Sequence, residues 1–203
     1  MSVHAFVDES HRGAYLLVVT LLKPTELERT RTLLRSLRVG GERRLHFKHE
    51  SDAVKRMIAA RLAQSGVRTR VYTGRGGTEG VRRSCLAHLV SDLIALDARR
   101  LVLEARGREE DRRDRRTIGP LLRGAGGDGR LVYEHLRPHE EPSLWISDAV
   151  AWCHGAGGGW RRRVSPIIEQ VLDVGGAGHD SRGRPWWGDL RSWATRHHGR
   201  RTH

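Results

Sequence analysis

Several things are scarce in this chain, and each scarcity excludes a class. No apolar run approaches the ~20 residues needed to cross a bilayer. The N-terminus shows no basic region followed by an apolar stretch, so no signal peptide is expected. Cysteine is limited to Cys85 and Cys153, both inside apolar helical patterns where they pack rather than bridge, and a reducing, cytoplasmic setting is expected. Glycine-rich stretches occur at Gly74-Arg75-Gly76-Gly77 and from Gly155 to Gly159, yet neither leads into the Gly-Lys-Ser/Thr of a phosphate-binding loop. A Gly-x-Ser-x-Gly nucleophile elbow is also missing, which argues against a serine hydrolase. Lysine is nearly absent, with 3 Lys beside 34 Arg, a skew that base composition alone could produce.

What is present is basic charge and enough length for a core. The 203 residues carry a formal net charge of +13, which favours a polyanionic partner such as nucleic acid. Residues 1–174 read as one α/β domain, and 175–203 as a mobile basic tail with Trp186, Trp187 and Trp193 as stacking groups, or simply as an unstructured end. The chain opens with a strand ending at Asp8-Glu9-Ser10, followed by the unbroken apolar run Ala14 to Leu22 of a doubly covered strand. A helix after Pro24 and another over Asp52 to Gln64, capped by Ser51, form an insert before the third strand, Val67 to Thr73. Next come a helix with Val81, Cys85, Leu89 and Leu93 on one face, a fourth strand Leu101 to Glu104, and a charged link Arg106 to Arg116. A short helix at Thr117 to Leu122, a fifth strand at Leu131 to Tyr133, and a buried helix opened by Pro142 follow. The last helix is expected over Trp160 to Leu172, kinked or restarted at Pro166. This order predicts a mixed five-stranded sheet flanked by helices, with a helical insert between strands 2 and 3.

Acids at the ends of apolar elements are the chemical signal. If the first and fourth strands are parallel neighbours, Asp8 and Glu104 emerge at one edge, roughly 5 Å apart. Asp8 can also be read as part of a plain turn. Asp148 lies in the buried helix, where an acid without a partner is uncommon. Oxygen ligands of this kind suit Mg²⁺ or Mn²⁺, and two such ions about 4 Å apart can cleave a phosphodiester. Asp148 has a second reading as a capping or Arg-paired acid. Asp111 and Asp114 sit among four arginines and fit either the same metal site or a solvated ion-pair network.

The order of elements and these acids resemble the ribonuclease H-like fold. More narrowly, the chain is similar to a prokaryotic domain-of-unknown-function family whose members open with a hydrophobic strand ending in Asp-Glu-Ser. The matching pieces are Phe6-Val7-Asp8-Glu9-Ser10, Leu45-His46-Phe47, Leu101-Val102-Leu103-Glu104 and Ile146-Ser147-Asp148-Ala149-Val150-Ala151. The segment from Glu141 through Arg163 looks like an actinobacterial branch of it. The resemblance implies a metal-dependent nuclease site with Asp8 and Asp148 as ligands. It also shows two departures: Glu104 stands where such enzymes usually carry Asp, and the usual helix Glu has only Asp92 or Glu79 as counterparts.

The remaining signals are weaker. His46 and His49 beside Glu50 have the look of a metal corner, but no second ligand pair completes a zinc site. His46 can instead shuttle protons near the acids, or form a surface hydrogen bond. Glu9 belongs to the rim of the site rather than to the metal. Trp160 with Arg161, Arg162 and Arg163 is a nucleic-acid patch or a solvated helix face. The expectation is a Mg²⁺- or Mn²⁺-dependent nuclease acting on RNA or DNA; its rival is a non-catalytic nucleic-acid-binding protein of the same fold.

Overall fold

The structure, a computed structural model, describes residues 2–38, 40, 42–75, 78–124 and 129–175. Apart from Gly175, the expected basic tail with Trp186, Trp187 and Trp193 lies outside them. Strands β1 (Val3–Ser10) and β2 (Tyr15–Leu22) form an antiparallel hairpin, turning through Gly13 at φ 86°. Helices α1 (Leu27–Ser36) and α2 (Asp52–Gln64) follow, and the Ser51 hydroxyl caps α2 by accepting from Val54 N at 3.3 Å. Then come β3 (Arg68–Gly74), α3 (Thr78–Ala95), β4 (Ala98–Glu104), α4 (Arg108–Gly124), β5 (Val132–Leu136), α5 (Leu144–Ala156), α6 (Gly158–Val164) and β6 (Ile168–Asp173).

Two elements differ from expectation. The sheet has six strands in the order β5-β4-β1-β2-β3-β6, not five. The helix stops at Val164, and Pro166 lies in the short turn Ser165–Ile167 before the strand, where it need not donate a helical hydrogen bond. Ile168–Asp173 then pairs parallel with β3 as an edge strand, leaving Val171 51% exposed. The charged link is likewise no link: Arg108–Gly124 is one helix. Glu109, Glu110 and Asp111 occupy its first turn, where negative charge suits the helix dipole. Asp114, Ile118, Leu121 and Leu122 form its buried stripe.

Alternation along the strands divides the core into two layers. Phe6, Leu16, Val18, Val71 and Val102 face α1, α2 and α5; Ala5, Val7, Leu17, Val19, Leu101 and Leu103 face α3 and α4. Helix α5 is apolar nearly all round and packs on β1 and β2. Its rotation is fixed by one buried polar residue: the Ser147 hydroxyl donates to Phe6 O and lies 2.8 Å from the Thr20 hydroxyl. Ser147→Ala leaves the buried Thr20 hydroxyl without that partner. It is expected to lower unfolding free energy by about 1–2 kcal/mol, read as a lower urea midpoint. An unchanged midpoint would mean that apolar packing alone seats α5.

Candidate metal centre

The site begins with register. β1 and β4 run parallel with Val7 beside Leu103, so the next residues, Asp8 and Glu104, leave neighbouring strands together at about the 4.8 Å strand spacing. Both side chains point to the α5 face, because Phe6 and Val102, two residues earlier on each strand, pack there. The Ser147 anchor sets α5 so that Asp148 reaches the same place. Asp8, Glu104 and Asp148 line one small cavity of about 60 Å³, with Arg44, His46 and Trp145 at its walls. The short turn Phe47–His49 closes another side, and Phe47 N donates to Asp148 Oδ2 at 3.3 Å. The structure therefore brings four sequence-expected residues together: Asp8, Glu104, Asp148 and His46. It adds Arg44, which no sequence pattern singled out.

The acids are poorly compensated. Among the described residues no ion pair reaches Asp8, Glu104 or Asp148; those of the neighbouring acids go to Glu9 and Asp114 instead. Burial, then the charges of Glu104 and Asp148 and a hydrogen bond shared with Glu104, push the Asp8 carboxyl well above its usual range. The Glu9 N–H, donated to Asp8 Oδ1 at 2.7 Å, opposes this only in part. Asp148 is raised to about 6, chiefly by burial and also by Glu104, against the pull of the Phe47 N–H and Arg44. His46, which contacts Arg44 and packs edge-on to His49 with ring centroids 4.7 Å apart, is lowered by burial and by both neighbours.

Glu9 and Asp114 stand elsewhere, on the α3–α4 face of the sheet. Arg82 donates to both oxygens of Asp114 at 2.8 and 2.7 Å and also contacts Glu9. Arg106 donates to Glu9 at 2.8 Å and to Asp114 at 3.4 Å, while His135 and the Tyr15 hydroxyl complete the cluster. Burial alone would raise both acids, but Arg82 and its neighbours outweigh it and hold Asp114 far below the usual carboxylate range and Glu9 below it too. An acid so fully engaged has no oxygen free for a metal, so Asp114 is a structural residue of this cluster. Its place on the buried stripe of α4, four residues before Ile118, is the signal that marks it as core. The cluster also bears on the site. Glu9 follows Asp8, and Arg106 comes two residues after Glu104, so their ion pair ties together the segments that carry the two repelling acids.

The other expected residues disperse. Asp92 accepts from the Tyr72 hydroxyl at 2.7 Å and from Arg70, and Glu79 lies beside Arg113 between α3 and α4. Neither is a helix acid of the site. Arg161, Arg162 and Arg163 are all exposed on α6, and Arg161 closes the end of α5 by donating twice to His154 O, at 3.1 and 3.0 Å.

The donor set decides what the cavity suits. Three carboxylates lining one cavity, two of them raised by burial and by Glu104, match the hard-oxygen preference of Mg²⁺ or Mn²⁺. Among the described residues, however, no group of three or more His, Cys, Asp or Glu side chains already stands in metal-holding geometry. The match is therefore one of donor chemistry, not of a finished coordination shell.

The metal-free protein should register these protons. Asp148 binds its proton more tightly folded than unfolded, its value moving from 3.8 to about 6. The stability this lends is complete below 3.8 and lost as pH rises through about 6. In EDTA, the wild-type melting temperature should therefore fall relative to that of Asp148→Asn between pH ~4 and ~7. Parallel curves would show that Asp148 is not raised.

No family model and no curated protein matches the sequence. Among solved structures, the chain is similar to a chain in the structure of the PCNA:RNase HII complex from Archaeoglobus fulgidus. The likeness covers 73% of this chain and 69% of that one, at 20% identity and a TM-score of 0.44. Similarity at that level carries no argument, so the functional reading rests on the site itself. No helix among the described residues is long and apolar enough to cross a membrane.

Proposed function

We propose that this chain is a nuclease of ribonuclease H-like architecture that hydrolyses phosphodiester bonds of RNA or DNA with Mg²⁺ or Mn²⁺. The proposal includes its placement in the actinobacterial branch of the resembling family and a cytoplasmic setting. The observation that carries it is the meeting of Asp8, Glu104 and Asp148 in one cavity without an ion-pairing partner among the described residues. These three would hold the metal, which when bound supplies a Lewis acid and an activated water near neutral pH.

The remaining roles belong to the protein. Glu104 brings a longer arm than Asp to its strand end, and the Phe47 N–H fixes one oxygen of Asp148. His46, lowered by burial and by Arg44 and His49, is neutral near pH 7 and able to accept a proton at the cavity wall. The net charge of +13 favours a polyanionic substrate.

One observation favours the rival reading. Arg44 lines the cavity and acts on Asp148, and an arginine in that position can offset the acids without any metal. A nucleic-acid-binding protein that keeps the fold without catalysis would look like this.

Digestion of labelled RNA and DNA with and without Mn²⁺ separates the two. The nuclease reading expects Mn²⁺-dependent cleavage that falls by about 10²–10³-fold in Asp8→Asn and in Asp148→Asn. A smaller loss is expected in Glu9→Gln, whose side chain faces the other side of the sheet. Binding without cleavage at any Mn²⁺ concentration would establish the rival.

A further inference from the structure

Three cations near the cavity rest on aromatic rings: Arg12 and Arg163 are exposed, while Lys55 is buried and donates to Glu50 O at 2.7 Å. Arg12, in the β1–β2 turn, places its guanidinium 4.9 Å from the ring centre of Trp152. Lys55 of α2 places its amine 4.8 Å from the same ring, and Arg163 lies 5.8 Å from the ring centre of Trp160. Trp152 and Trp160 meet edge to face with centroids 5.3 Å apart. Several other arginines around the sheet are engaged by carboxylates, as Arg31, Arg68, Arg70, Arg82, Arg100 and Arg106 are. Arg12 and Arg163 make no ion pair among the described residues and rest on indoles instead. A guanidinium seated on a ring keeps its N–H groups for another acceptor.

The position of this patch gives it meaning. Trp152 follows Asp148 by one turn of α5, about 6 Å along the axis. Phe47 joins the two, its N–H on Asp148 and its ring 5.5 Å from that of Trp152. Gly155, one turn further on, lets the hairpin approach: a Cβ there would stand 3.1 Å from Arg12 Cβ and 3.2 Å from Arg12 O. Aromatic rings and cations thus run from the acid cavity along α5 to the part-exposed Trp160.

We propose that Arg12, Trp152, Trp160 and Arg163 form a binding site for a single nucleic-acid strand, with phosphates at Arg12 and Arg163 and a base against Trp160. The site rests on the nuclease reading for its purpose, since it leads a strand toward Asp148, but not for its detection. A single strand fits because its bases are free to stack on indole, whereas those of a duplex are not. Arg161 has no part in it, its guanidinium being bound to His154 O.

The test is binding in EDTA, where no metal chemistry intervenes. Fluorescein-labelled oligo(U) and oligo(dT) are titrated against the full chain and Arg12→Gln/Arg163→Gln at several salt concentrations, with melting curves for both proteins. Each lost phosphate contact should lower the salt slope by about 0.7 on a single strand, so the double variant should lose about 1.4 and bind weaker. Trp160→Phe should retain binding that Trp160→Leu loses. Equal slopes and affinities in wild type and the double variant would overturn the proposal, above all if the variant melts lower, which would make the two arginines props of the fold. Tighter binding of a duplex of the same length would overturn it as well. Neither result depends on whether Mn²⁺ supports cleavage.

Discussion

Two carboxylates side by side at the ends of adjacent strands repel, and much of this fold serves to keep them there. Register places Asp8 beside Glu104, and among the described residues nothing on their own face of the sheet forms an ion pair with either. The restraint acts from the opposite face. Glu9 and the segment after Glu104 are joined through Arg106, while Arg82 binds Asp114 in bidentate fashion and reaches Glu9. Such a buried lattice adds little net stability over an apolar core of the same volume. It does specify where two strand ends lie, which is what an acid pair needs.

The period-2 alternation of β1 is what allows this division. Asp8 faces α5 and Glu9 faces α3 and α4, so adjacent acids in the sequence serve opposite layers with opposite electrostatics. One is raised by burial and like charge; the other is held low by arginine. Helix α5 then joins the layers to the chemistry. Ser147 anchors it to β1 and β2, Asp148 enters the cavity, and Trp152 carries the same helix out to the cationic surface.

Much of the site was legible in the sequence because it depends on local pattern. An apolar strand that stops at an acid, twice, and an acid inside an otherwise apolar helix are visible without coordinates, and Asp8, Glu104 and Asp148 do meet. The helix caps and the opening hairpin follow the same logic of local signals. What escaped depends on distant pairing. Arg82 and Asp114 neutralise each other across two helices, a pairing that neither residue shows when read alone, although Asp114's place on the α4 stripe marks it as core once that helix is known. The charged run of α4 hid a helix because its buried stripe includes an aspartate, and Pro166 hid the start of β6 because a strand after a proline resembles a restarted helix. The contacts of Arg12, Lys55 and Trp152 join three segments far apart in the chain, which no period reveals.

The central claim is that the three buried acids form one cation site. Anomalous diffraction from crystals soaked in Mn²⁺ tests it most directly. The account predicts a peak in the cavity between β1, β4 and α5, within about 2.0–2.3 Å of oxygens from Asp8, Glu104 and Asp148, with solvent completing the shell. Arg44 should then be turned away from the acids. A cavity that stays free of Mn²⁺ with the Arg44 guanidinium bound to Asp148, or a peak on other residues, would contradict it.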